Sequence, residues 1–195
     1  MTRRPALASI LAAVLLGGAA PPMSFVPVSP RFARDGDAYR RLWELDGERI
    51  VAAMEKITGL RFPQAPIAAI VSEGQPMTAY DGRTIRLRAG YSPAYKKATL
   101  VHELGHRLAF AFPHRGGLDD HRLLYLFLYD VWSDLYGRDF ADRMAAIERR
   151  IGPAYDSAWT WAMAMTREQR QARLAALRAQ STASQTAASS SPKLR

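Results

Sequence analysis

The chain has 195 residues, a length that suits one modest domain with its own core. Its 48% hydrophobic and 23% charged residues are ordinary for a globular protein, and the lack of cysteine excludes a disulfide framework, a thiolate metal site and a thiol nucleophile. A net charge of +9 raises the question of nucleic acid, but no basic stripe with interleaved aromatics and no nucleic-acid motif accompanies it, so nucleic acid is not an expected partner.

The first residues, MTRRP, form a basic n-region, ALASILAAVLL an apolar h-region, and GGAA supplies small residues for cleavage. The apolar run is shorter than the roughly 20 residues of a membrane span. Residues 1–20 therefore read as a signal peptide cut near Ala20, and the mature protein as periplasmic or secreted with no stable membrane span. With no cysteine behind the h-region, a lipoprotein is excluded. Loss of Arg3 and Arg4 lowers the charge of +9 by two, to +7.

Residues 21–35 are proline-rich and read as an extended lead-in. A helix capped by Asp37 runs to about Ile57, with Tyr39, Trp43, Ile50, Met54 and Ile57 on one face and Gly59 as its stop. Gly47 weakens its middle. PIAAIVSE, residues 66–73, reads as a short buried strand. MTAY and RTIRLRA around Asp81–Gly82 read as a hairpin on a two-residue turn with positive φ at both positions. In its second strand Ile85, Leu87 and Ala89 alternate with Thr84, Arg86 and Arg88, an apolar face against a basic one.

Ser92–Pro93 opens the next helix, with serine as N-cap and proline in the first turn, and this helix carries HELGH before stopping near Ala111. Asp119 caps a helix running to Tyr136, apolar on nearly every side from Leu123 to Phe127. A helix from Asp139 to about Ile151 follows, then a helical PAYDSAWTWAMAM. Thr166 and Gln169 form a capping box for a last helix ending near Gln180. Residues 181–195 read as a low-complexity, disordered tail. The fold class is therefore α+β: a small antiparallel sheet, the hairpin, packed on the HELGH helix, then an all-helical C-terminal half.

All four histidines, His102, His106, His114 and His121, lie in residues 102–121. HELGH matches H-E-x-x-H. Residues i and i+4 share a helix face, so His102 and His106 can present two imidazoles to one Zn2+ ion. Glu103 sits about 100° round the helix, where its carboxylate can take a proton from a zinc-bound water as that water attacks a carbonyl. Glu103 is the candidate catalytic residue and His102 and His106 are candidate ligands. For the third ligand His121 is favoured and Asp130 is the alternative, with Asp119 and Asp120 behind them and Asp134 and the loop residue His114 as the remaining candidates. In one continuous helix His121 and Asp130 are nine residues apart and point to opposite sides, so only one can face the metal. His121 reaches further, and its place in the first turn favours a neutral ring. Tyr91, Tyr95 and Tyr155 are candidates for stabilising an oxyanion, although aromatic packing explains each more simply; Trp132, Trp159 and Trp161 read as core.

Strand, TLVHELGHRLA and a second apolar helix resemble the core of the zincin metallopeptidases, in particular the minimal gluzincin-like and ImmA/IrrE-like ones. The resemblance spans residues 66–136 and rests mainly on HELGH. It implies that residues 36–180 form a zincin-like metallopeptidase domain. It also implies that the strand Arg83–Ala89 is the upper rim of the cleft, with outward arginines meeting a peptide or protein substrate. The metzincin pattern fails at Ala109 and Phe112, and no glutamate stands in residues 119–136 to serve as a gluzincin ligand. In the ImmA/IrrE-like pattern an acidic ligand stands six residues before a helical Phe, as His121 stands before Phe127, while Asp130 with Asp134 resembles the gluzincin E-x-x-x-D pair. The reading is an exported zinc-dependent hydrolase, foremost a peptidase; the alternative is a catalytically silent periplasmic binding or accessory protein on the same fold. Substrate preference and oligomeric state are not encoded in any motif found.

Overall fold

A computed structural model describes residues 18–112 and 115–189 of the chain. It is an α+β fold with a small four-stranded mixed sheet and a mostly helical remainder. The expected signal peptide lies almost wholly outside the described residues. Among the described residues no helix is long and apolar enough to cross a membrane.

The sheet is larger than a hairpin and mostly parallel. Strand β1 (Met23–Pro27) comes from the stretch read as an extended lead-in, β2 is Ile67–Ser72, β3 is Met77–Thr78 and β4 is Thr84–Arg88. Their order is β1-β2-β4-β3; β1 and β4 run parallel to β2, and only β3 is antiparallel. Prolines at 22 and 27 are tolerated because β1 is an edge strand. The turn between β3 and β4 also differs from the two-residue form. Residues 79–83 make the connection, Gly82 alone has positive φ (65°), and the Asp81 carboxylate accepts the Arg83 amide at 2.8 Å. The central β4 buries Ile85 and Leu87 on one face, as its alternation requires.

Helix α1 (Ala33–Thr58) connects β1 to β2 and starts earlier than Asp37, behind a 3-10 turn at Pro30–Phe32. Gly47 does not break it. A β-carbon there would stand 2.9 Å from the Trp43 ring, so the glycine makes room for the indole. Gly59, φ 66°, ends the helix in the left-handed conformation. Helix α2 (Pro93–Ala109) starts where the sequence places it: the Ser92 side chain accepts the Tyr95 amide at 3.3 Å.

The single helix expected over residues 119–136 is two. Asp119 caps α3 (Asp120–Tyr125), and α4 (Leu128–Tyr136) follows after a turn at Leu126–Phe127. The amides of Leu126 and Phe127 reach back only three residues, to Leu123 and Leu124, which tightens and redirects the chain. Every residue from Leu123 to Leu128 is essentially without exposure, so tertiary burial overrides the helical period here. At about 1.5–3 kcal/mol per fully buried large side chain, this segment is a main source of cohesion.

Helices α5 (Arg138–Arg149), α6 (Pro153–Met163) and α7 (Arg167–Ser189) complete the fold. Asp139 lies in the first turn of α5 rather than at its cap, which is Gly137. Thr166 and Gln169 make both bonds of the capping box, at 2.8 and 3.3 Å. Helix α7 runs past Gln180 into the expected tail, which contains no glycine, and no proline before Pro192.

Candidate metal centre

Helices α2 and α3 bring His102, His106 and His121 together, with one side-chain nitrogen from each lying within 4.8 Å of the others. Gly105, inside HELGH, lets them approach: a β-carbon there would stand 2.4 Å from Leu124 Cδ1. The i, i+4 spacing sets the first two rings on one face, with Nε2 to Nε2 at 3.1 Å. His121 enters from the first turn of α3 and packs against Tyr155 of α6, the rings tilted by 50° with centres 4.3 Å apart. Nitrogen ligands of a tetrahedral ion at roughly 2 Å stand about 3.3 Å apart, so no separation here exceeds that by more than about 1.5 Å.

His102 is held from behind. Its Nδ1 lies 2.7 Å from Glu148 Oε1, and the Trp159 indole N–H donates to Glu148 Oε2 at 3.1 Å. All three are buried. Burial opposes the imidazolium of His102, but the adjoining Glu148 carboxylate outweighs it and raises the pKa above the usual histidine value. His106 moves the other way, to about 2, through burial and then through the nearby His102 and His121. His121 is also lowered, by burial first and by His102 next. Nδ1 of His102 thus faces the Glu148 carboxylate and its Nε2 faces the Nε2 of His106.

Glu103 is 3% exposed and faces the cleft beside His102. The Thr78 hydroxyl of β3 lies 2.7 Å from Oε2 and 2.8 Å from the Glu103 carbonyl oxygen. Among the described residues Oε1 has no hydrogen-bond partner. Burial raises the Glu103 pKa, and His102 and the Thr78 hydrogen bond only partly offset it. The cleft holds about 260 Å³ and is lined by Gln75, Pro76, Arg88, Tyr91, Tyr95, Ile151 and Tyr155, besides His102, Glu103 and Glu148. All three tyrosines considered from sequence thus line it.

The other carboxylates considered as ligands are engaged elsewhere. Asp130 makes a buried bidentate pair with Arg170, at 2.6 and 3.2 Å. Asp119 caps α3 through the Arg122 amide, and Asp120 pairs with Arg115. Asp134 pairs with Arg167 and Lys56. His114 lies outside the described residues. Because the chain breaks at Leu126–Phe127, the opposed directions of His121 and Asp130 do not follow from one continuous helix.

Sequence reasoning missed Glu148 and Thr78, and took Trp159 for core alone. Glu148 had a legible signal. It falls on the apolar stripe of Ala141, Met144 and Ala145, where a carboxylate must have a partner. The expected rim strand is corrected too: β4 is paired on both sides, by β2 and by β3 at Ile85–Arg86, so it offers no free edge there. Compared with protein-family models, with curated proteins and with solved structures, the chain matches none.

Proposed function

We propose that the chain is an exported zinc-dependent hydrolase, foremost a peptidase of zincin type, with His102, His106 and His121 as the metal-holding residues and Glu103 as general base and acid. The observation that carries this reading is the meeting of three imidazole nitrogens, with one of the three, His102, lining a cleft beside the buried Glu103 carboxylate. The donor set fits zinc, which takes three histidines readily and leaves a position open in its catalytic sites.

Zinc, when bound, supplies Lewis acidity that acidifies water and polarises a carbonyl. The chain's own residues do the rest. Glu148 and Trp159 fix the His102 ring and its tautomer, so that Nε2 points into the cluster. Thr78 holds one oxygen of Glu103 and leaves the other free to take a proton from water in the cleft. Burial favours the protonated form that results, and that form can then donate to a leaving amine.

Glu103→Gln tests the reading. It keeps the shape and the Thr78 contact but removes the base. The expected outcome is a loss of about 10²–10⁴-fold in hydrolysis of a peptide pool, with about one zinc per chain retained by elemental analysis. Undiminished hydrolysis in the variant rules out the role of Glu103.

A further inference from the structure

One cationic side chain lines the cleft, and its setting bears on what the cleft accepts. Arg88, the last residue of β4, is the only arginine or lysine among the described residues lining it. Its neighbour on the same face, Arg86, is not among the residues that line the cleft; it donates to the Gln75 carbonyl and lies against Gly74. The backbone under Arg88 is pinned at three carbonyls. The fully buried Tyr39 hydroxyl donates to Arg88 O at 2.9 Å. The buried Lys96 ammonium donates to Ala89 O and to Tyr91 O, and is held by Asp35 at 2.8 Å.

The guanidinium itself is oriented. Its Nε donates to Glu73 Oε2 at 3.3 Å, and its carbon stands 5.7 Å from the centre of the Tyr91 ring. Gly90 makes room for Glu73, since a β-carbon there would stand 3.2 Å from Oε1. Glu73 therefore takes the Nε side of the fork. Among the described residues Nη1 and Nη2 have no protein acceptor, and they form the edge that matches a carboxylate bidentately.

We propose, resting on the hydrolase reading above, that Arg88 selects substrates that carry a carboxylate close to the bond cut, either an acidic side chain or a chain-terminal carboxylate. The small cleft agrees with this. At about 260 Å³ it falls below the roughly 300–1,000 Å³ of drug-sized pockets, so it suits recognition of one or two residues rather than of a long segment. Arg88 is a specificity residue and takes no part in the proton transfers.

Binding to the zinc-loaded protein tests this without turnover. The probes are two hydroxamates of equal length, one ending in a carboxylate and the other in its carboxamide. The expected result is a preference of about tenfold to a hundredfold for the carboxylate, the range of a hydrogen bond to a charged group. Arg88→Gln abolishes the preference and leaves zinc content, thermal midpoint and carboxamide affinity unchanged; Arg88→Lys restores part of it. Arg86→Gln removes an equal charge outside the cleft and keeps the preference. Equal binding of the two probes by the wild type, or a preference that survives Arg88→Gln, overturns the role of Arg88 and leaves the hydrolase reading standing. So does an equal loss in Arg86→Gln, which assigns the effect to the general positive field. Failure of both probes to bind the zinc-loaded protein overturns the role and counts against the hydrolase reading as well.

Discussion

Two clusters of ionisable side chains, one buried between α4 and α7 and one part-buried between α2 and α3, are built in opposite ways. In one, Asp130 of α4 meets Arg170 of α7 through two hydrogen bonds, and Arg170 also donates to the Met165 carbonyl at 2.7 Å. Every charge there has its counterpart, and the cluster joins two helices. In the other, only His102 has a carboxylate behind it, and three imidazoles point their nitrogens at one another. Gathering three rings of one chemical type, one buried and two half-buried, costs solvation and returns few bonds. The first cluster matches each charge with its opposite, whereas the second collects like groups in front of a single carboxylate. Burial of an ionisable residue therefore points to function less than the company it keeps.

The comparison breaks most visibly under alanine replacement. Asp130→Ala strands a guanidinium that is 3% exposed, and about 3–5 kcal/mol of stability should go with it. Zinc uptake by the fraction that stays folded should be unchanged. His121→Ala should do the reverse: it costs the metal-free protein no more than about 1 kcal/mol, as a partly exposed ring, and removes most of the bound zinc. Chemical denaturation and elemental analysis of both variants read this directly. If zinc stays with His121→Ala and leaves with Asp130→Ala, the two clusters have been assigned the wrong way round.

Next in size is Glu148→Gln. The amide keeps a partner for one ring nitrogen of His102 but removes the charge that orients and polarises it. Outer partners of this kind are worth about 10–100-fold in metal affinity. Competition against a chromophoric chelator gives the number. An affinity equal to that of the wild type makes Glu148 a packing feature of α5 with no bearing on the metal.

A pH titration sharpens the same point. His102 has its pKa raised by Glu148, whereas His106 and His121 have theirs lowered, chiefly by burial. All three rings must be neutral to ligate, so His102 is the last of them to lose its proton as pH rises and sets the acid limb of zinc affinity. Below the pKa of His102 affinity should climb about tenfold per pH unit, and above it the curve should flatten. Calorimetry at about pH 5, below the ordinary histidine range, in buffers of different ionisation enthalpy should count about one proton released. A count approaching three at that pH points to ordinary, independently titrating histidines.

How much of this was readable beforehand depends on distance along the chain. HELGH, its Ser92 cap and the Thr166/Gln169 box all work within one or two turns, so their geometry is implicit in the spacing. What escaped was decided by partners far away. Strand β1 hides in a proline-rich stretch because only its pairing with Ile67–Val71 makes it a strand. The break at Leu126–Phe127 arises where a run apolar on all sides has no polar face to hold one helical register against the packing around it. Gly105 looked like a neutral filler in the motif, and its use appears only when Leu124 is placed against it. Glu148 stood 46 residues from His102, and nothing local to either names the other.

The smallest predicted effect isolates the outermost layer of the site. Trp159 reads as core, and it is: fully buried, stacked on Tyr125 at 3.9 Å and near Trp132. It also donates its indole N–H to the oxygen of Glu148 that His102 does not use. Trp159→Phe keeps an aromatic ring and removes the donor, though it also removes volume. The lost bond, with a charged acceptor, is worth about 1.5–3 kcal/mol, and most of that should appear as reduced stability of the metal-free fold. Only the part that reaches His102 should reach the metal, as a few-fold weaker affinity, less than for Glu148→Gln. Trp132→Phe provides the control, since its indole nitrogen is buried without a hydrogen-bond partner among the described residues and away from Glu148. It should lower stability through packing alone and leave affinity untouched. Equal affinity losses in the two tryptophan variants mean that packing, not the hydrogen bond to Glu148, couples the core to the site.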